Sequence, residues 1–412
     1  MEHVRSRFPA LARGAAFLDG PGGSQAPEEV IAAIGDHLRR GTANDGGVFA
    51  TSRETIALIA EARRAAARLT GSAPEEIAFG ANMTTLNFLL AHAVARTLAP
   101  GDEIVVTQLD HDANVAPWLR VAEDHGLVVR VAPVRPQDAT LDVDALEDLL
   151  GERTRVVAFT LASNAVGSLT DARRIAAAAH RVGALAWADA VHYAPHRRPD
   201  RAALGLDVLL CSPYKFFGPH LGLAAIRRDL AESWPADRVR PASEDPPGHR
   251  FETGTPSFEA LAGMVAAIEY LQSLGDDLDD AYARIRAHEE ALAVRVLERL
   301  AGIDGVTLHG IVDPARVAER TATFCFTVDG ASPRAVSEQL AERGIFNWDG
   351  NYYALALMEA LGLEARGGAV RAGFLHYNTA EEADRLCDAI AEIATPPTPT
   401  TPSEPRRDET PA

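Results

Sequence analysis

Between Glu75 and Ser212, short apolar runs alternate with helical segments, and this alternation constrains the fold more than any other feature of the chain. The runs are EEIAFG (75–80), DEIVVTQ (102–108), LVVRVAP (127–133), TRVVAFTLAS (154–163), ALAWADA (184–190) and DVLLCS (207–212). Continuous apolar runs of this length fit strands buried on both faces. TTLNFLLAHAVARTLA (84–99), a stretch near Val115 to Glu123, VDALEDLLG (143–151) and DARRIAAAAHRVG (171–183) carry helical spacing instead. Strands and helices in turn predict an α/β fold with a mostly parallel sheet between helices.

The pattern changes further on. Leu278, Tyr282, Ile285, Leu292, Val296 and Leu300 mark one helical stripe. VTLHG, TATFCFTV and GAVRAGF then read as strands, and AEEADRLCDAIAEIA (380–394) as a last helix. The expected division is an N-terminal segment (1–16), a large domain (17–260), a smaller α+β C-terminal domain (261–394) and a tail (395–412). That tail, TPPTPTTPSEPRRDETPA, is too poor in bulky apolar residues to offset ordering entropy and is expected to be disordered. The stretch RPASEDPPGHRFETGTPS (240–257) is long for a linker and reads as functional.

A formal net charge of -18 argues against nucleic acid or a membrane surface as partner, since both need Lys and Arg to neutralise phosphates. Cys211, Cys325 and Cys387 are odd in number and widely spaced, which fits a reducing cytoplasm. The opening MEHVRSRFPALARG lacks the apolar core of a signal peptide, and no run reaches the length of a membrane span. The expected location is cytoplasmic.

Open parallel sheets bind ligands at the carboxyl ends of their strands, so the residues there carry the chemistry. After EEIAFG come Met83, Thr84 and Thr85, which open a helix with free N–H groups and hydroxyls: an anion site or a plain N-cap. After DEIVVTQ comes LDHDANVAPW with His111, a ring stacker, an acid/base or a surface histidine. Asn164 follows TRVVAFTLAS. Asp189 ends ALAWAD, where a carboxylate is costly unless a cation or protonated group meets it. His192 and His196 resemble a helical metal pair, but Pro195 between them breaks the helix, so no metal is expected. After DVLLCS come Ser212, Tyr214 and Lys215. An amine in apolar surroundings loses its proton and becomes a nucleophile, although a lone lysine more often snorkels to solvent. No glycine fingerprint for a dinucleotide and no Walker loop is present, which disfavours a nicotinamide oxidoreductase. A hydroxyl cluster, a histidine, an asparagine, an acid and a lysine in this order suit pyridoxal 5′-phosphate. That coenzyme needs an amine for its aldehyde, an acid for its ring nitrogen, an anion site and a ring stacker.

With these motifs in view, the chain resembles the class V aminotransferase family, of PLP fold type I, and within it the cysteine desulfurase-like proteins. FLDGPGGSQAP, NMTTLN, LDHDANVAPW, SNAVG, WADAVH, SPYKFFGPHLG, RFETGTPSFEAL and VRAGFLHYNTAEEADRL carry the resemblance. It implies that Lys215 bonds to the coenzyme, that Asp189 pairs with the ring nitrogen, that His192 lies near the ring oxygen where relatives often have Gln, and that His111 stacks on the ring. It gives the phosphate to Met83, Thr84, Ser212 and Tyr214, the last in place of a family His. Thr255 is implied to reach the neighbouring subunit's phosphate, hence a homodimer. Asn164 and Arg371 are implied to bind the substrate carboxylate.

The resemblance also implies a nucleophilic cysteine after the RGI segment, and here Tyr353 stands at that place in ERGIFNWDGNYYALAL. A phenol cannot carry a persulfide sulfur. The expected chemistry is therefore C–S lyase (β-elimination) on a small α-amino acid, without a persulfide cysteine, with Tyr352 and Tyr353 as walls or as acid to the leaving group. Transamination and epimerisation remain open, as does a scaffold that has lost turnover.

Overall fold

The structure, a computed structural model, describes residues 2–395, and the expected tail beyond Thr395 lies outside them. At its centre is a seven-stranded sheet. In chain order its strands are β1 (Ile77–Gly80), β2 (Glu103–Thr107), β3 (Val128–Ala132), β4 (Thr154–Thr160), β5 (Leu185–Asp189), β6 (Val208–Cys211) and β7 (Gly222–Ile226). They lie in the order β1-β7-β6-β5-β4-β2-β3. From β6 to β3 every neighbouring pair is parallel, and β7 is antiparallel to both β1 and β6. The mostly parallel α/β sheet expected from the alternation is present.

Both faces of this sheet are buried, which is why its strands are continuously apolar. The helices that cover it are α1 (Glu28–Arg40), α2 (Ala50–Thr70), α3 (Met83–Ala95), α4 (Ala116–His125), α5 (Ala172–Arg181) and α6 (Phe258–Gln272). Val105, Val157, Ala186 and Leu209 pack into one core with Ala66 of α2, Ile175 of α5 and Leu261 of α6. Their neighbours Ile104, Val106, Trp187 and Leu210 pack into the other, with Leu90 of α3 and Val121 of α4. Period-two alternation thus feeds two cores from the same strands. Trp187 meets Trp118 edge to face at 4.9 Å and donates its indole N–H to Asn87 at 2.9 Å. Asn87 in turn holds the Ala113 carbonyl at 2.7 Å, tying the loop after β2 to the core.

A second sheet consists of β8 (Val306–His309), β9 (Thr323–Val328), β10 (Trp348–Gly350) and β11 (Ala369–Gly373), in the antiparallel order β8-β9-β11-β10. α8 (Pro333–Glu342) and α9 (Ala380–Ala394) cover one side of it. The long helix α7 (Leu278–Leu300) bridges the two bodies: Tyr282 and Ile285 pack into the large core, Leu292 and Val296 into the small one. Among the described residues no helix is long and apolar enough to cross a membrane.

The alternation did not show α1 and α2 ahead of the first strand, nor β7. A strand buried on both faces carries no sign of its direction. The Ser212–Leu221 connection is too short for a crossover helix, so the chain returns antiparallel.

Gly222, at the start of β7, lies against the cap of α3: a Cβ there would stand 2.5 Å from the Asn82 carbonyl. Gly222→Ala must push that helix start away from the sheet. Urea unfolding should show a loss of about 1–3 kcal/mol, the usual cost of overpacking.

Candidate active site

The carboxyl ends of β2, β4, β5 and β6 converge with the start of α3 and the edge of the small sheet on one cavity of about 490 Å³. Its walls include Met83, Thr84, His111, Asn164, Asp189, His192, Ser212, Tyr214, Lys215, Tyr353 and Arg371. Thr255 is apart from them. It lines a separate hollow with Gly80, Leu86 and His220.

Lys215 ends a short 3-10 turn, Pro213–Lys215, directly after β6. Its Nζ donates to the carbonyls of Pro21 (2.6 Å) and Gly22 (3.0 Å). The following Phe217 takes a left-handed φ of 72°, which its N–H bond to Ser24 (2.7 Å) helps hold. The side chain keeps some accessible surface where it borders the cavity, but protein encloses the rest. Burial first, then the Arg371 charge, lowers the amine's pKa to about 7, and Asp189 partly opposes them. The amine is therefore available uncharged near neutral pH.

Asp189 is the last residue of β5 and 4% exposed. Its Oδ1 accepts from the Val191 N–H at 2.8 Å. Burial raises its pKa to about 6, against the pull of that bond and of Lys215. His111 accepts the Ala113 N–H on Nδ1 at 3.0 Å, so its neutral ring carries the proton on Nε2. Burial, Lys215 and Arg371 depress its pKa to about 4. Its neighbour Asp110 is buried, accepts from Thr107 and from Asn114 Nδ2 (2.8 Å), and is pushed well up by burial. Asp110 thus anchors the loop that presents His111. His192 is buried, with Nε2 at 3.0 Å from the Thr323 hydroxyl and 3.3 Å from that of Thr321. Burial holds its pKa well below the usual value.

At one end of the cavity Asn82 caps α3 through the Thr85 N–H at 2.9 Å. The Met83 N–H donates to Ser212 Oγ at 2.9 Å, which leaves the hydroxyl proton free for an anion. Tyr214 stacks flat on His220 at 4.7 Å, a partner the strand-end reading missed. Toward the other end, Arg371 on β11 donates from Nη1 to the Asn164 carbonyl at 2.8 Å and lies 4.4 Å over the Tyr352 ring. Burial lowers its pKa to about 10, so it stays charged at neutral pH. Asn164 uses Nδ2 on the Tyr352 carbonyl at 2.9 Å. The Tyr352 hydroxyl donates to the Ala369 carbonyl, which makes this ring a wall and not a free acid.

The strand-end reading also missed Pro21, Gly22 and Trp348 as walls of this cavity. The GPGG run entered only as part of the family resemblance, in FLDGPGGSQAP. Its nearness to Lys215 had no periodic signature, because it arises from a contact across nearly two hundred residues. None of the three cysteines lines the cavity. All are buried, and burial raises their thiols: Cys325 to about 12, Cys387 to about 11, and Cys211 further still.

The residues present fit pyridoxal 5′-phosphate: an amine that sheds its proton near pH 7, a buried carboxylate for a ring nitrogen, a helix start with hydroxyls for a phosphate, and an imidazole face. Known proteins agree. A family model described as aminotransferase class-V matches residues 16–386. An aminotransferase-like protein of Gibberella zeae is 32% identical over 409 residues, covering 95% of this chain and 98% of that protein. A cysteine desulfurase of Pectobacterium carotovorum is 32% identical over 414 residues, covering 95% and 98%. Among solved structures, the cysteine desulfurase of Thermococcus onnurineus NA1 superposes with a TM-score of 0.87 at 27% identity, covering 95% of this chain and 98% of that one. A cysteine desulfurase from Escherichia coli gives 0.82 at 27% identity, covering 95% and 97%.

The lowered pKa of Lys215 sets a pH test. Its folded value of about 7 lies below the ordinary 10.5, so the unfolded chain binds the extra proton between those limits. Stability therefore rises with pH across that window, and burying the amine costs most below pH 7. Without added coenzyme, Lys215→Met should be more stable than wild type at pH 6, on the order of 2 kcal/mol with water in the cavity moderating the cost. Urea unfolding at several pH values should show the advantage fading as pH approaches 10.

Proposed function

The chain belongs to the aminotransferase class-V family, and from that premise we propose that it is a pyridoxal-phosphate-dependent lyase. It acts on an α-amino acid with a sulfur-bearing substituent on Cβ and needs no persulfide cysteine. The observation that carries this reading is the placement of Lys215, Asp189, His111 and Arg371 around one cavity that no cysteine borders.

Pyridoxal 5′-phosphate, when bound, supplies the sink for electrons released from a bond at the substrate's Cα. Met83, Thr84, Ser212 and Tyr214 would hold its phosphate, and Asp189 would keep a proton on its ring nitrogen. His111 would cover one face of the ring, with His192 near its edge. Arg371 grips the substrate carboxylate with its planar fork, with Asn164 beside it. The uncharged amine of Lys215 takes the proton from Cα. The Cβ substituent then leaves with its bonding pair, and water hydrolyses the unsaturated amino acid to pyruvate and ammonium. Tyr353 is a wall of the same cavity.

The same reading pairs two copies of the chain, each giving Thr255 to the other's phosphate site. Support comes from Leu38, Val48, Phe49 and Phe88 on α1, the following loop and α3, which are apolar and exposed. The reducing cytoplasm fits three unpaired thiols.

The purified protein with added coenzyme should show a visible absorption band that Lys215→Ala lacks. S-substituted cysteines should release pyruvate and a thiol, and L-cysteine sulfide and pyruvate. Conversion of the coenzyme to its amine form without pyruvate would make the protein a transaminase. Loss of optical activity alone would make it an epimerase, and no band at all a scaffold.

A further inference from the structure

Toward its mouth the cavity is aromatic, and the mechanism above gives that half little to do. We propose that Trp348 and Tyr353 form a side-chain subsite that selects α-amino acids carrying a flat apolar group, such as an arylthio substituent, on Cβ. This rests on the cofactor reading above and names the substrate class of the same site.

Trp348 on β10 pairs directly with Arg371 on β11. Cross-strand partners project from the same face of a sheet, so the indole stands beside the guanidinium that would hold the carboxylate. It also lies against the turn that carries Lys215's carbonyl partners: a Cβ on Gly22 would come within 2.5 Å of Trp348 Nε1. The next residue, Asp349, also lines the cavity, and its carboxylate meets Arg334 of α8 at 3.4 Å. Asp349 is thus paired outside the site by Arg334, while Asp189, Lys215 and Arg371 supply the buried charges of the cavity.

Tyr353 supplies a second aromatic wall of the same cavity. Its ring lies 5.4 Å from that of His111, tilted by 37°. It gets there through two successive left-handed residues, Tyr352 (φ 56°) and Tyr353 (φ 57°), a conformation that is costly for any residue with a Cβ. Two bonds from the large domain hold the turn: Asn164 Nδ2 to the Tyr352 carbonyl at 2.9 Å, and the Asp112 N–H to the Tyr353 carbonyl at 2.7 Å. The strain presents an aromatic face to water at the mouth, where Tyr353 is 72% exposed. Trp348 is 51% exposed, whereas Trp118, Trp187 and Trp234 are buried. A flat apolar group on Cβ covers both faces, and a bare thiol leaves them wet.

The test uses the full chain with its coenzyme and follows the absorption change on titration with L-alanine, S-methyl-L-cysteine and S-phenyl-L-cysteine. Half-saturation for the phenyl compound should lie about ten-fold below that for the methyl compound, the scale of an aromatic contact. Trp348→Ala and Tyr353→Ala should each remove most of that ratio while leaving S-methyl-L-cysteine within about two-fold. S-phenyl-L-cysteine should also shield wild-type tryptophan emission from iodide, since only Trp348 is open to it. Equal half-saturation of the two thioethers, or a ratio unchanged in both variants, would overturn the subsite. So would Trp348→Ala that dissociates a dimer and keeps the ratio, because Trp348 would then be an interface residue. A band that responds to L-alanine but shows no phenyl preference refutes the subsite alone. A band that responds to no amino acid refutes the cofactor reading beneath it.

Discussion

Burial of one amine governs this molecule. Lys215 sits where apolar packing and a nearby guanidinium both oppose its charge, and two backbone carbonyls receive its hydrogens. An ordinary surface lysine would be protonated at neutral pH and chemically idle. Everything around it serves that one displacement. β6 delivers the residue to the sheet's edge, the Phe216–Phe217 pair closes the floor, and the 20–24 turn folds across from the N-terminal side. Asp189 lies near enough to moderate the shift but bonds to its own loop rather than to the amine, so the amine is not locked in an ion pair.

The second sheet completes the site. Arg371 comes from β11, yet it reaches the Asn164 carbonyl at the end of β4, and the Tyr352–Tyr353 turn is pinned by Asn164 and Asp112. Arg371 and the tyrosine turn over His111 therefore come from one body, and Lys215 and Asp189 from the other. α7 spans both cores and makes their relative placement a matter of packing rather than of a loose linker. The buried pair Arg63–Glu252, at 2.7 Å, fixes the start of the segment that carries Thr255, since Glu252 also accepts the Phe79 N–H of β1. The Pro- and Gly-rich stretch is thus ordered by a charge pair inside the protein, consistent with its length being more than a linker needs.

Much of the site could be read from the chain because parallel strands all end at one edge. Once the alternation is recognised, the residue after each apolar run lies near the others: His111, Asn164, Asp189 and Lys215 were found that way, and the cavity holds all four. Residues supplied by other means were harder to see. Arg371 sits inside a strand of a different sheet, and only the family resemblance singled it out. Trp348 follows no period and became a wall through a two-strand register. Pro21 and Gly22 act through backbone carbonyls, which residue type does not reveal.

The sequence by itself determined the class of fold and the order of the strand-end residues, because these depend on local pattern and composition. Tertiary structure alone decided the state of those residues. Depressed and raised pKa values come from enclosure by distant segments, and the direction of β7, the engaged hydroxyl of Tyr352 and the strained turn beside it come from connection length and long-range hydrogen bonds. A side chain's type says which proton it can hold; only its surroundings say whether it keeps it.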